Sequence, residues 1–66
     1  MNMKSSATRE TRKTARKSQI QVAVMAGVSE PLVRLYELGG PDAVTDDRKR
    51  AALDRVYAHL ATKDVG

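Results

Sequence analysis

From Ser18 onward the chain alternates short apolar runs with sharp breaks. Ile20 to Ala26 is apolar except for Gln21, and Gly27 closes the run. The run is too short for its pattern to separate a helix from a strand. Ser18 and Gln21 decide for a helix. They have the spacing of a capping box, in which the Ser18 hydroxyl accepts the amide of Gln21 and the Gln21 side chain reaches back to the cap. The alanines favour the same choice, and glycine at 27 can take the left-handed conformation that ends a helix. One residue, Val28, separates this end from Ser29, a second N-cap. Pro31 falls in the following first turn, where an amide would lack a partner anyway. This second helix is predicted to run to about Leu38, where Gly39 and Gly40 stop it and Pro41 prevents its resumption. A loop over residues 39–44 leads to Thr45, the predicted cap of a third helix with Asp46 and Asp47 at the positive end of its dipole. Leu53, Val56, Tyr57 and Leu60 then recur at i, i+3, i+4 and i+7, the apolar stripe of an amphipathic helix. Arg48, Lys49, Arg50, Asp54 and Arg55 lie on its flanks and opposite face, and it is expected to fray near Lys63 into a tail over residues 63–66. No strand is expected.

A length of 66 residues suffices for one domain, and the predicted elements make it a small all-α helix-turn-helix bundle of three main helices with a basic N-terminal arm. The 66 residues contain two aromatic side chains, Tyr36 and Tyr57, so the core must be aliphatic. A domain of this size buries only about 60% of its unfolded surface, and with no cysteine, neither disulfides nor thiolate-bound metal can staple it. Charge is distributed unevenly. Residues 1–18 carry Lys4, Arg9, Arg12, Lys13, Arg16 and Lys17 against Glu10, a net +5, whereas the other 48 residues carry six basic and seven acidic side chains. Residues 1–17, poor in apolar side chains and rich in Ser, Thr, Lys and Arg, read as a basic arm that cannot offset its ordering entropy by burial. Their composition allows at most a marginal fourth helix over residues 8–17. Phosphate binding with counterion release is the expected role of such an arm; a tail that keeps the protein in solution is the alternative. No apolar stretch follows the basic N-terminus as in a signal peptide, and none reaches the length of a membrane span, so a cytoplasmic protein is expected.

Two short helices joined by a glycine-containing turn constitute a helix-turn-helix. Ala23 is small where the two helices would cross, Val28 plugs the corner, and Val33 and Tyr36 would bury the second helix against the first. The segment from Gln19 to Gly39 resembles the Cro/CI-type (XRE-like) helix-turn-helix family. That family carries a Gln, an Ala four residues on, Gly-Val-Ser, a β-branched residue four after the Ser, and a Glu-x-Gly ending. The counterparts here are Gln19, Ala23, Gly27-Val28-Ser29, Val33 and Glu37-Leu38-Gly39. Where the family has an apolar first helix, this chain has its basic arm. The second helix also resembles the recognition helix of MerR-type regulators, but no β-wing follows it.

The resemblance implies a sequence-specific DNA-binding transcriptional regulator of bacterial, phage or plasmid type, such as a repressor. It would act as a nucleoid-associated homodimer on double-stranded DNA, with the helix over about residues 29–38 in the major groove. The DNA-facing residues would be Ser29, Glu30, Pro31, Arg34 and Leu35, with Gln19 bonding phosphate or bracing the readers. Arg9, Arg12, Lys13, Arg16 and Lys17 of the arm would follow the backbone or enter the minor groove. Arg34 is the candidate for a bidentate contact to guanine, Glu30 could accept from a cytosine amine, and Pro31 and Leu35 offer only apolar contact to thymine methyls or sugar.

Two other functions compete with this one. An architectural or recombination accessory factor would bend DNA for another enzyme, and an antitoxin-like interaction module would turn Leu32, Leu35 and Leu38 toward a protein. For the DNA-binding regulator, control would come through its own concentration, competition for sites or a second regulatory protein as partner; a membrane partner is not expected. An enzyme is not expected, and no metal or other cofactor is. His59 lies off the apolar stripe and reads as an exposed side chain. Tyr57 reads as core, and Asp46-Asp47 reads as a helix start, not as a carboxylate pair converging on a substrate.

Overall fold

The computed structural model describes residues 3–63, with side chains from Thr8 to Thr62. Four α-helices follow one another: α1 (Met3–Thr14), α2 (Gln19–Ala26), α3 (Glu30–Gly39) and α4 (Asp47–Lys63), with a 3₁₀ turn at Pro41–Ala43. No strand occurs among the described residues. The all-helical class expected from the sequence holds, but the count of three main helices behind an arm does not. Residues 3–14 form a helix that packs against α3 and α4. The tail over residues 63–66 lies outside the described residues except for Lys63, the last residue of α4.

The inward side of α1 explains why periodicity does not reveal it. Thr8, Thr11, Arg12 and Ala15 are half-buried at i, i+3, i+4 and i+7. That spacing is the stripe of an amphipathic helix, but it is made of threonines, an arginine and an alanine. The helix closes in a Schellman arrangement. The Lys17 amide donates to the Arg12 carbonyl at 3.1 Å and the Arg16 amide to the Lys13 carbonyl at 2.9 Å. Arg16 occupies the left-handed position at φ 60°, where glycine is the usual residue.

α2 begins as its capping box requires. The Gln21 amide donates to the Ser18 hydroxyl at 3.1 Å, and the Ser18 amide donates to Gln21 Oε1 at 2.7 Å. Gly27 ends the helix at φ 71° with its amide directed to the Ala23 and Val24 carbonyls. α3 runs one residue beyond Leu38. At its end Gly40 adopts φ 81°, ψ 176°, a backbone region essentially confined to glycine. A Cβ at Gly40 would meet nothing within 4 Å, so the restriction is one of backbone and not of space. The loop expected over residues 39–44 contains the 3₁₀ turn, which carries Val44 into the core. α4 starts later than a Thr45 cap implies. The Lys49 amide donates to Asp46 Oδ1 at 3.1 Å, which makes Asp46 the capping residue, and Asp47 lies in the first turn.

The core consists of Val22 and Ala23 from α2, Val33 and Tyr36 from α3, Val44, and Leu53, Val56, Tyr57 and Leu60 from α4. The stripe expected on the last helix is therefore the buried one. Ala15, Ala26, Val28 and Leu32 pack around this centre. The two aromatic rings, Tyr36 and Tyr57, stack on each other with centroids 5.2 Å apart and planes 5° from parallel. No helix among the described residues is long and apolar enough to cross a membrane.

Candidate nucleic-acid interface

α3 has two chemically distinct sides. Val33, Tyr36 and Glu37 face inward and are buried. Pro31, Arg34, Leu35 and Leu38 face outward and are exposed. Burial of Val33 and Tyr36 at i and i+3 fixes the rotation of the helix, and that rotation turns Arg34 to solvent. The Arg34 side chain is 54% exposed and its Nη2 lies 3.5 Å from Glu30 Oε2, one helical turn earlier. An exposed i, i+4 pair of this kind contributes about 0.3–0.5 kcal/mol, too little to hold Arg34 against a better acceptor. Ser29 occupies the N-cap of α3 through its backbone, and its hydroxyl makes no capping bond. The Ser29 hydroxyl, Pro31, Arg34 and Leu35 thus form one exposed surface at the start and middle of α3, with Glu30 half-exposed beside them.

Among the cations expected to contact DNA, Arg9, Lys13 and Arg16 are exposed and Lys17 is half-buried. None of the ion pairs found among the described side chains involves these four; the pairs are Arg12–Glu37, Arg34–Glu30 and Arg50–Asp47. Arg16 and Lys17 form the connection between α1 and α2, just before the positive end of the α2 dipole. Arg48 and Lys49 are exposed on the first turn of α4, whereas Arg50 donates to the Val44 carbonyl at 3.2 Å and to Asp47 at 2.7 Å.

Arg12 and Gln19 are placed differently from the other expected contacts. Arg12 directs its guanidinium inward. Its Nε donates to Glu37 Oε2 at 2.5 Å, its Nη2 to Glu37 Oε1 at 3.1 Å, and its Nη1 to the Lys17 carbonyl at 3.0 Å. Gln19 Nε2 donates to Glu37 Oε1 at 3.1 Å, a buried carboxylate that is not among the expected DNA-facing residues. The Tyr57 hydroxyl completes the set with a bond to Glu37 Oε2. Arg12 from α1, Gln19 from α2 and Tyr57 from α4 therefore converge on one buried carboxylate of α3. Burial acting alone would raise the Glu37 carboxyl, but the hydrogen bonds from Arg12, Tyr57 and Gln19 outweigh it and hold it below the usual range. Tyr57 is pushed up by burial and by its bond to Glu37, and Tyr36 by burial and by its bond to Asp54. No buried side-chain polar atom among the described residues lacks a partner.

Glu37 is the residue that sequence reasoning missed. Its signal was positional: Val33, Tyr36 and Glu37 stand at i, i+3 and i+4, so an acidic side chain occupies a core position of α3. A carboxylate there requires a buried cation and further donors, and Arg12, Gln19 and Tyr57 supply them. Elsewhere, His59 is exposed, and no group of His, Cys, Asp or Glu among the described residues is arranged to hold a metal ion. In comparisons with known proteins, the chain matches no family model, no curated protein and no solved structure.

Proposed function

We propose that the chain is a sequence-specific DNA-binding regulator in which α2 and α3 act as a helix-turn-helix and the outer side of α3 enters the major groove. The observation that carries this reading is the outward, weakly paired Arg34 on a helix whose opposite side is locked into the core. An arginine on such a helix can take the O6 and N7 acceptors of guanine together. The exposed Arg9, Lys13 and Arg16, with Lys17, supply phosphate contacts that hold register without reading sequence. A homodimer would place two such helices about one DNA turn apart on a palindromic site.

Titration of duplex binding against salt tests the reading. The logarithm of affinity should fall by about 0.9 per phosphate contacted for each unit of log salt, and an interaction insensitive to salt would exclude it. Arg16→Gly separates fold from function in the same assay. Glycine removes the left-handed strain at φ 60°, so the variant should be more stable by about 1 kcal/mol. It should nevertheless bind every duplex less tightly, with a salt slope smaller by about one contact. Unchanged affinity would remove Arg16 from the interface.

A second reading rests on α2. Ile20 is 59% exposed and Val24, one turn later, 76% exposed. Apolar side chains so placed favour contact with a protein, either another copy of this chain or a separate regulator. The antitoxin-like role without DNA, expected on Leu32, Leu35 and Leu38, would use this α2 surface together with the exposed Leu35 and Leu38, since Leu32 packs against the core; the salt titration distinguishes the two readings. DNA bending measured by energy transfer would favour an architectural factor.

A further inference from the structure

On the premise that α3 enters the major groove, we infer that the protein selects thymine by its C5-methyl group beside a guanine, with Arg34 taking the guanine edge and Leu35 and Pro31 the methyls. The outer side of α3 is unusual for a helix meeting DNA. Between Ser29 and Leu35 its polar reading groups are the Ser29 hydroxyl, Glu30 and Arg34, and the rest of the exposed surface is apolar. Leu35 is 45% exposed, and Pro31 is exposed one turn before it. Burying these side chains against hydrated base edges would gain little, because most groups in the major groove are hydrogen-bonding donors or acceptors. The one apolar group offered there by an unmodified base pair is the thymine methyl.

Spacing and charge support the same occupant. Positions 31 and 35 are separated by about 6 Å along a helix axis, close to two base-pair steps of about 3.4 Å. Arg34 lies between them in height and adjoins Leu35, so guanine and thymine contacts fall within the same short stretch of base pairs. The net +5 of residues 1–18 suits a polyanion and would oppose a basic protein surface. Glu30, beside Arg34, disfavours close approach of a phosphate to this part of α3 and so favours base edges over backbone there.

The test uses the full chain and a duplex enriched from a random pool. Each thymine in turn is replaced by deoxyuridine, which keeps the pairing and the O4 acceptor and removes only the methyl group. Affinity should fall about fourfold at one or two positions within two base pairs of the contacted guanine. In the Leu35→Ala variant at least one of these losses should disappear; its side chain is exposed, and circular dichroism verifies the fold. If specific binding persists and no deoxyuridine substitution changes affinity by twofold, the methyl contact is wrong while the DNA-reading function stands. If no duplex is enriched, both fail. If Leu35→Ala changes the sedimentation of the free protein and leaves deoxyuridine effects as they were, Leu35 faces a second copy and the inference is overturned.

Discussion

Arg12→Met should destabilise the fold by about 3 kcal/mol, because removing one member of a buried ion pair leaves the other charge without compensation. The Arg12 and Glu37 side chains are only 12% and 4% exposed. A domain of this length has about 3–10 kcal/mol of stability in total, so the variant should unfold at much lower urea concentration and be partly unfolded at 37 °C. Combining Arg12→Met with Glu37→Gln should recover at least half of the loss. The neutral amide removes the uncompensated charge and keeps an oxygen for the Tyr57 hydroxyl. The sign of the pH effect follows from the same network. The folded carboxyl of Glu37 lies below its ordinary value, so its contribution is full above the usual carboxylate range and is lost as pH falls through the folded value. Tyr57 is shifted upward, so its contribution is full below about pH 10 and is lost as pH rises further. Urea midpoints between pH 3 and 7 should decline toward acid in the wild type and decline less in Arg12→Met. Equal acid dependence in both would mean that the pair does not hold Glu37 charged.

Deleting residues 1–17 should abolish cooperative folding. Read as a detachable arm, the segment could be removed with only a general loss of DNA affinity. Its burial predicts otherwise. α1 packs against α3 and α4, Ala15 adjoins the core, and Arg12 is the cation of the Glu37 network. Truncation exposes the apolar surface beneath α1 and strands the carboxylate. Thermal melting followed by circular dichroism should show no sigmoidal transition for the truncated chain, whereas replacing Arg9 and Lys13 by alanine should leave the melt nearly unchanged. A cooperative melt of the truncated chain would show that α1 is dispensable to the fold.

The contrast between α1 and the other helices shows what the sequence could carry. α2, α3 and α4 were legible because their signals are local: the Ser18–Gln21 capping box, the left-handed Gly27, Pro31 in a first turn, and the stripe from Leu53 to Leu60. The outward direction of Arg34 was legible for the same reason, since Val33 and Tyr36 fix the rotation of α3. α1 was not, because its inward stripe of Thr8, Thr11, Arg12 and Ala15 has no apolar period. Its burial depends on Glu37, which lies 25 residues from Arg12 in the chain. Nothing local distinguishes Arg12 from Arg9, Lys13 or Arg16. Only the three-dimensional position of Glu37 separates the cation that braces the fold from those left exposed. Gln19 posed the same ambiguity at the start of α2.

Whether the outer side of α3 reads DNA is decided by parallel selection of bound duplexes from a random pool by the wild type and by Arg34→Ala. The wild type should yield a short consensus with one dominant guanine. The variant should lose preference at that position, with a cost of about 1–3 kcal/mol on the wild-type site, and keep its preferences elsewhere. Recovery of the same consensus by both proteins, guanine included, would show that the outer side of α3 does not read DNA.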